Sequence, residues 1–525
     1  MKTKLIIGFS LANFLLLSSC NLFSSSYESS QISSSSQETT SSSVEEPLLI
    51  NDIDTYVYGD EIKVKDNIQT PNITDYTLSF EGNNIRIDDD SIVGLKAGTV
   101  TYVTLTNSDG RKGTFEVTVI NRSYTSKHKS AESEEGWLND VSVDAIDGLK
   151  TTSDFVNGMD ISSSAYLYEK GAKFYNAEGY EESLFYLLKD NGVNYVRLRL
   201  WNDPKDGDYL YGGGNCDLTR AKWMAKEATS AGLKYLLDFH YSDYWADPSD
   251  QIVPKAWRSY TTVDQFSTAI YDYTKETLME LKSLDALPAM VQIGNETRDG
   301  MLLSLPGEGS GYAEDKRALS SSLSGSLKTN FKTYLKSGIK AVNDVDSNIK
   351  TMVHYVKNFA DPSTIVSFYQ NLSDVNYDII GLSAYSYWHF STIDVLTSGL
   401  QAISAAFPDK KIVLAETSYG FTYELDSNAN NSFTSTNETI KPVTGYPCSI
   451  QGQAKMYRDT LNAIHSISNG YGAFYWEGAW LPLAGCGWGD STTLSSWSNQ
   501  AFFSYNGKAL GSLAVFNKVY SANHN

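Results

Sequence analysis

Apolar runs recur along the C-terminal part of the chain, and a polar, helix-patterned stretch follows most of them. Eight of these runs predict strands: FVNGMDIS (155–162), NYVRLRLW (194–201), KYLLDFHY (234–241), AMVQIGNE (289–296), KTMVHYV (350–356), DIIGLSAY (378–385), KIVLAET (411–417) and GAFYWEG (472–478). Residues 182–192, 218–232 and 263–284 have the apolar spacing of amphipathic helices. Strands that alternate with helices predict an α/β fold.

Eight repeats in the roughly 375 residues from 151 to 525 predict a closed (β/α)8 TIM barrel. An open doubly wound sheet is the alternative. Such a sheet usually has a Gly-rich phosphate turn after its first strand, and no such turn follows residue 162. The pattern therefore favours the barrel.

Residues 48–121 have a different pattern, in which short apolar strands such as YTLSF and GTFEVTVI are separated by Asn, Asp and Gly turns. This pattern predicts a small all-β domain. The segment IDDDSIVGLKAGTVTYVTLTNSDG (87–110) resembles bacterial Ig-like group 2 modules. The resemblance implies an Ig-like β-sandwich that acts as a spacer or adhesion unit without an active site. Residues 122–150 are polar and mixed, and they predict a linker or an entry segment.

The N-terminus has the pattern of a targeting segment rather than of a folded element. Basic residues at Lys2 and Lys4 precede an apolar run, and Leu17-Ser18-Ser19-Cys20 resembles a bacterial lipobox. We therefore expect residues 1–20 to be a lipoprotein signal peptide, with a membrane anchor at Cys20; an ordinary signal peptide is the alternative. Residues 21–47 are Ser-rich and predict a disordered tether. The expected location is extracellular, on a bacterial cell surface.

Composition narrows the class of partner. The formal net charge of −20 argues against nucleic acid as a partner, because the phosphate backbone would be repelled. The 35 Tyr, 21 Phe and 10 Trp suit the stacking of sugar rings, although a Tyr-rich secreted surface is an equally good explanation. Cys448 and Cys486 can form a disulfide or remain free thiols, and Cys216 has no obvious partner. No cysteine spacing is typical of a zinc site.

Two carboxylates follow apolar strands at positions where barrel enzymes carry their chemistry. Glu296, preceded by Asn295, ends the fourth predicted strand, and Glu416 ends the seventh. Two carboxylates that face each other across a sugar can hydrolyse a glycosidic bond, one as a proton donor and the other as a nucleophile. Mutual repulsion separates their pKa values, so both roles are available at neutral pH. A structural salt bridge is the alternative for either residue alone.

Longer strings then identify a family. Residues 155–520 resemble family 53 glycoside hydrolases, the arabinogalactan endo-β-1,4-galactanases. The supporting stretches are GMDISS, YVRLRLWNDP, GGGNCDLTRAKWMAKEATSAGLKYLLDFHYSDYWADPSDQIVPKAW, VQIGNETRDGMLL, DIIGLSAYSYWH, VLAETSYGF and FYWEGAW. The resemblance implies a retaining enzyme that cuts neutral β-1,4-galactan, a plant pectin side chain, without a cofactor. It implies Glu296 as the acid/base and Glu416 as the nucleophile.

The resemblance also implies roles for neighbouring residues. Arg199 is expected to keep Glu416 ionised, Asn295 to bond the sugar 2-hydroxyl, and Tyr385 to donate its phenol to the nucleophile. Asp160, Asp238 and His240 are expected at strand ends in the substrate site, although Asp238 can equally brace the barrel. Trp476 or Trp480 is the expected floor under the cleaved sugar. Further tryptophans are expected to line the outer cleft or to pack loops: Trp201, Trp245, Trp257 and Trp388.

The chain departs from the family pattern at two strand ends. Strand six reads GLSAYSYW, with Ala384 and Ser386 where the family usually has an aromatic residue and a proline, and Gly478 replaces a proline after strand eight. Both departures are expected to reshape sugar subsites.

Some bacterial members of the family bind calcium between the loops after strands seven and eight. Asp426, Asn428 and Asn430 offer hard oxygen ligands for a structural Ca²⁺, and Asp490 is a further candidate. A plain polar turn is an equally good reading of this loop.

Two other functions fit parts of the sequence. A different retaining β-glycanase, such as a mannanase or xylanase, would use the same barrel and carboxylates. A surface lipoprotein that captures glycans without cutting them would use the anchor and the Ig-like module, but would not need two carboxylates at strand ends four and seven. For the enzyme, we expect a monomer.

Overall fold

A computed structural model describes most of the chain. The described residues are 46–124, 131–206, 209–210, 212–248, 250–302, 325–426, 430–488 and 494–521. The predicted signal peptide, its Cys20 and nearly all of the predicted tether lie outside these residues.

Seventeen strands are present in the described residues. They are β1 (Ile53–Tyr56), β2 (Ile62–Lys63), β3 (Tyr76–Phe80), β4 (Ile85–Asp88), β5 (Ser91–Gly94), β6 (Val100–Asn107), β7 (Lys112–Ile120), β8 (Val156–Asp160), β9 (Tyr195–Leu200), β10 (Lys205–Asp206), β11 (Tyr209–Leu210), β12 (Lys234–Phe239), β13 (Met290–Ile293), β14 (Lys350–Val356), β15 (Ile379–Ser383), β16 (Lys411–Thr417) and β17 (Gly470–Tyr475).

Ten α-helices accompany them in the same residues. They are α1 (Ala131–Trp137), α2 (Ser164–Glu169), α3 (Leu184–Asp190), α4 (Leu218–Ser230), α5 (Val263–Ser283), α6 (Gly325–Val345), α7 (Pro362–Gln370), α8 (Ile393–Ala406), α9 (Ile450–His465) and α10 (Val515–Lys518). No helix in this part of the chain combines the length and apolar character needed to cross a membrane.

Strands β1 to β7 form a small all-β domain of two sheets. One sheet has the order β1-β7-β6-β3 and the other the order β2-β5-β4. Inward-facing residues alternate with exposed ones along β7, so that Phe115, Val117 and Val119 lie in the core with at most 1% exposure. The small β-domain predicted from the period-two pattern is present, and its identity as an Ig-like module stays a prediction.

The other long strands close into a parallel barrel in the order β12-β13-β14-β15-β16-β17-β8-β9. All eight strands predicted from the sequence are barrel strands, and the predicted (β/α)8 fold is confirmed. Their residues are almost all buried because helices cover the outside of the barrel and side chains fill its interior. Local signals set the helices: Asp217 caps α4, and Thr262 with Gln265 forms a capping box at α5.

The small β-domain packs against the outside of the barrel through an ion pair whose carboxylate is buried and whose guanidinium is partly exposed. Arg86 on β4 donates two hydrogen bonds to Glu227 on α4, at 2.9 and 2.8 Å. Tyr58 Oη donates to the same carboxylate at 2.7 Å, and the Tyr58 ring packs edge-on against Tyr168 and Trp223. Glu227 is 1% exposed, so this charge depends on its partners from the β-domain.

We expect Arg86→Ala to lower the free energy of unfolding by about 3 kcal/mol, because it leaves the Glu227 carboxylate buried without its cation. Thermal unfolding of the purified protein measures this loss. The double variant Arg86→Ala/Glu227→Gln should recover much of it, since no unpaired charge remains. Equal stability of the wild type and the single variant would contradict this account of the interface.

Candidate active site

Glu296 and Glu416 come from barrel strands separated by two others, and both lie at the carboxyl ends of these strands. Glu416 is the penultimate residue of β16, and Glu296 follows β13 after a tight turn. Gly294 and Glu296 have φ values of +79° and +44° in this turn. A left-handed conformation is unfavourable for glutamate and is found chiefly where the surrounding structure imposes it. The turn brings the Glu296 carboxylate to the mouth of the barrel.

The carboxylates of Glu296 and Glu416 lie close to each other. An oxygen of Glu296, an oxygen of Glu416 and a ring nitrogen of His354 all lie within 4.8 Å of one another. A cleft of about 400 Å³ opens above them and contains both glutamates among its lining residues. Oxygens this close fit the short carboxylate separation of retaining glycosidases better than the roughly 6.5–9.5 Å of inverting enzymes.

Glu416 has partners that favour its ionised form. Arg197 Nη2 lies 3.0 Å from its Oε1, and Tyr385 Oη donates to its Oε2 at 2.9 Å. Burial raises the pKa of Glu416 to about 7, although the Arg197 charge and the Tyr385 hydrogen bond act in the opposite direction.

Glu296 is in an environment that favours its protonated form. Burial and the neighbouring Glu416 raise its pKa to about 8, and its Oε1 lies 2.5 Å from Ser383 Oγ. The Arg197 charge is the last of the causes acting on Glu296 but directly contacts Glu416, so the pKa of Glu296 lies above that of its neighbour. At neutral pH, one proton on the pair therefore resides mainly on Glu296.

A buried polar network supports the pair from below. Arg197 donates to Asp160 Oδ2 and Asp238 Oδ2, both at 2.8 Å, and to Asn295 Oδ1 at 2.9 Å. His240 Nδ1 accepts from Trp201 Nε1 and from the Ala246 N–H, so its Nε2 donates to Asp238. Burial lowers the pKa of His240 and keeps it neutral. Each side chain fixes the next, which holds the site rigid.

Aromatic side chains form the walls of the cleft. Trp245 stacks on Trp488 with ring centroids 4.9 Å apart, and Trp476 packs edge-on against Trp497 at 4.9 Å. Trp388 is 41% exposed at the rim. Flat apolar surfaces beside two carboxylates suit the apolar faces of sugar rings.

The sequence-predicted residues divide into two groups. Those that line the cleft are Arg199, His240, Asn295, Tyr385, Trp388 and Trp476, with Trp245 from the outer set. Those buried outside its lining are Asp160, Asp238, Trp480, Trp201 and Trp257. Asp160 and Asp238 brace Arg197 instead of facing the cleft, and Trp480 is fully buried, with its Nε1 bonded to Cys486 O.

The expected contact of Arg199 with Glu416 is wrong. Arg199 instead pairs with Glu477 at 2.8 Å and lies over the Trp245 ring, whereas Arg197 contacts Glu416. Both arginines lie on β9 two residues apart and face the barrel interior, so alternation alone could not decide between them. The Arg197 side chain starts deeper in the barrel and is long enough to reach several carboxylates.

Several further residues of the site were not predicted. Arg197, Trp488 and Trp497 line the cleft. His354, Ser383 and Glu477 form hydrogen bonds or ion pairs with residues that line it or with one another. Arg197, His354 and Ser383 occur at inward-facing positions of predicted strands, and a polar residue there was an available signal. Trp488 and Trp497 lie in irregular segments that no periodic pattern places.

The two departures from the family pattern lie beside the cleft rather than in its lining. Ser386 lines an adjoining pocket of about 220 Å³ together with Trp388. A Cβ added at Gly478 would meet Met159 Sδ at 2.6 Å, so this backbone packs too closely for a larger residue without a shift.

The described cysteines are free thiols: Cys216, Cys448 and Cys486. Of the two possibilities for Cys448 and Cys486, the structure therefore has the unpaired one. In the predicted calcium loop, Asn428 lies outside the described residues, while Asp426 and Asn430 are present. The buried Oδ1 of neighbouring Asn431 has no hydrogen-bond partner among the described residues, so the loop has an unused hard oxygen, which fits Ca²⁺ in donor type.

Comparison with known proteins places this geometry in a family. A family model described as glycosyl hydrolase family 53 matches residues 156–516. The endo-beta-1,4-galactanase of Bacillus subtilis is 34% identical, with 72% of this chain and 88% of the relative covered. The arabinogalactan endo-beta-1,4-galactanase of Thermothelomyces thermophilus is 33% identical, with 69% and 98% covered.

Solved structures agree with the sequence comparison. The GH53 catalytic domain of Ignisphaera aggregans matches with a TM-score of 0.64 and 38% identity, covering 73% of this chain and all of that one. A fungal beta-1,4-galactanase structure matches with a TM-score of 0.55 and 31% identity, covering 69% and 98%. This chain belongs to glycosyl hydrolase family 53.

Proposed function

We propose that this protein is a retaining endo-β-1,4-galactanase that cuts galactan and type I arabinogalactan. The observation that carries the proposal is the meeting of Glu296 and Glu416 oxygens within 4.8 Å at the base of an aromatic cleft. The substrate class rests on family membership and on the galactanase names of the relatives. The chemistry uses side chains of the protein and needs no cofactor.

In the first step, Glu296 protonates the glycosidic oxygen as Glu416 attacks the anomeric carbon. The leaving chain departs, and a galactosyl ester forms on Glu416. Arg197 and Tyr385 support this step because they keep Glu416 ionised until it attacks. In the second step, Glu296, now ionised, takes a proton from water, and the water attacks the ester from the same face as the original linkage. Two inversions give net retention.

Asn295 has one donor available for the sugar. Its Nδ2 donates to Ala246 O at 2.7 Å and carries a second hydrogen, while its Oδ1 already accepts from Arg197. Since Asn295 lines the cleft, we propose that this second hydrogen bonds the sugar 2-hydroxyl. Trp476 is the proposed floor under the cleaved sugar, and His240 is proposed to hold the cleft wall in place.

A substrate panel tests the proposed function. Purified protein incubated with β-1,4-galactan, β-mannan and xylan should release oligosaccharides from galactan alone. NMR of the products during hydrolysis should show the β-anomer first, as retention requires. Release from mannan or xylan instead would favour another β-glycanase, and binding of galactan without any product would favour a glycan-capture protein.

We expect activity on galactan to fall as the pH rises through about 8, because Glu296 then loses the proton that it must donate. On the acid side, activity should fall as Glu416 becomes protonated and stops acting as a nucleophile. A profile of kcat/KM against pH, between pH 4 and pH 10, measures both limbs. An unchanged rate up to pH 10 would contradict the assignment of Glu296 as the acid.

The remaining proposals concern location and assembly. We propose that the protein is an extracellular, monomeric lipoprotein anchored at Cys20, with residues 21–47 as its tether and the β-domain as an Ig-like module. We also propose that Asp426, Asn428 and Asn430 hold a structural Ca²⁺. Such an ion would stabilise the loop after β16 and would take no part in the reaction.

A further inference from the structure

Ser383 and His354 form a buried chain behind the acid/base residue. Ser383 Oγ lies 2.5 Å from Glu296 Oε1 and 3.0 Å from His354 Nε2. On the other side of the ring, His354 Nδ1 lies 2.9 Å from Asn295 Oδ1. Ser383 and His354 have no exposed surface, so their hydrogen bonds must be made with neighbouring buried atoms of the protein.

The orientation of the Asn295 amide is fixed at both ends. Its Nδ2 donates to Ala246 O at 2.7 Å, and its Oδ1 accepts from Arg197 Nη2 at 2.9 Å. A flipped amide would place acceptor against acceptor and donor against donor. The atom that faces His354 Nδ1 is therefore an acceptor, and the 2.9 Å contact is attractive only if Nδ1 carries a proton.

Two donors also approach Nδ1, but at longer distances. The Glu296 N–H lies 3.3 Å away and Gln292 Nε2 lies 3.2 Å away. Gln292 Nε2 has a shorter bond to Asp238 Oδ1, at 2.5 Å. Gln292 Nε2 also donates to Asn295 Oδ1 at 3.0 Å, so its two hydrogens are used elsewhere and the Glu296 N–H is the competing donor at Nδ1. The shorter Asn295 contact favours the Nδ1–H tautomer.

A neutral His354 with its proton on Nδ1 presents a lone pair at Nε2. Ser383 then donates its hydroxyl proton to Nε2, and its Oγ is left to accept a hydrogen bond from Glu296. We propose that Ser383 and His354 are positioning residues that hold Glu296 in its protonated, proton-donating form. This inference rests on the proposed function.

The chain also bears on the second half of the reaction. When Glu296 has passed its proton to the leaving oxygen, Ser383 can donate to the new carboxylate only by giving up its bond to His354. The ionised form of Glu296 therefore costs one buried hydrogen bond. Removal of a proton from the attacking water restores the bond, which favours base catalysis by Glu296.

Other charged groups affect the pKa values of Glu296 and His354, and a test variant must leave these groups unchanged. Those that act on Glu296 are Glu416, Asp247, Arg197, Arg298 and Tyr385. Those that act on His354 are Arg197, Asp238, His240 and His389. Burial and the Arg197 charge lower the pKa of His354 well below its ordinary value, so the ring is neutral throughout the working range.

The pH profile of kcat/KM for Ser383→Ala tests the direction of the hydrogen bond between Ser383 and Glu296. If Ser383 accepts from protonated Glu296, its loss should move the alkaline limb to lower pH by about 0.5 to 1 unit. Ser383→Thr keeps the hydroxyl and should restore the limb. Ser512→Ala removes a buried serine hydrogen bond to Gln453, outside the lining of the cleft, and should leave the limb in place.

An upward shift in Ser383→Ala would mean that Ser383 donates to ionised Glu296, and it would overturn the proposal, as would an unmoved limb. A wild type without product from galactan would instead refute the proposed function. Nitrogen-15 NMR of histidine-labelled protein supplies a readout that does not depend on activity, with His354→Asn used to assign the signal. An Nδ1–H tautomer is expected, and an Nε2–H tautomer would overturn the inference.

Discussion

Replacement of Glu416 by Gln should reduce the turnover of β-1,4-galactan on the order of 10⁴- to 10⁶-fold, the loss typical of removing a nucleophile. The amide keeps the size of the side chain but cannot attack the anomeric carbon or form the ester. The Arg197 guanidinium would also lose its charged partner at 3.0 Å. Release of reducing ends measures the loss, and thermal unfolding shows whether the barrel remains folded.

Chemical rescue separates this role from a structural one. In Glu416→Ala, azide can enter the space of the missing carboxylate and attack from the same side, which gives an α-galactosyl azide. Glu182→Gln is a matched control because Glu182 is 2% exposed and paired with Lys96, outside the lining of the cleft. That control should keep its turnover. Near-normal activity of the Glu416 variants would refute its role as the nucleophile.

Replacement of Glu296 by Ala should reduce the turnover of galactan by about 10²- to 10⁴-fold, the usual contribution of a general acid. The sugar leaving group of galactan needs a proton, whereas a dinitrophenyl leaving group does not. With a dinitrophenyl galactoside, the ester should therefore form rapidly and then accumulate, since no base activates water. A burst of dinitrophenol in rapid-mixing kinetics measures this difference.

Azide distinguishes the two glutamates by the product that forms. In Glu296→Ala, azide attacks the galactosyl ester without a base, which gives a β-galactosyl azide. An α-product from this variant, or equal losses with galactan and with the dinitrophenyl substrate, would contradict the acid/base assignment. Opposite anomers from the Glu416 and Glu296 variants would identify both roles in one experiment.

The sequence was sufficient for the barrel because parallel strands buried on both faces are nearly continuous apolar runs. The polar residues that interrupt the ends of those runs, Glu296 and Glu416, pointed to the site. Tyr385, the second residue after β15, lies beside Glu416 as the family resemblance implied.

Other features depend on side-chain reach and on irregular segments. Arg197 and Arg199 share one face of β9, and only the folded structure separates the partner of Glu416 from that of Glu477. Trp476 and Trp480 are four residues apart in a loop, where no period tells which ring faces the cleft. The packing of the β-domain on Glu227 was also beyond sequence patterns, because an ion pair between distant segments leaves no local signal.

The positive φ of Glu296 means that the residue best suited to fold this turn is not the residue that the reaction needs. Glycine would adopt φ +44° without the penalty of about 1 kcal/mol that a side chain brings. It would also remove one of two acidic groups that crowd the same small space. The barrel is therefore less stable than its backbone allows, and the cost lies in the backbone of the residue that delivers the proton.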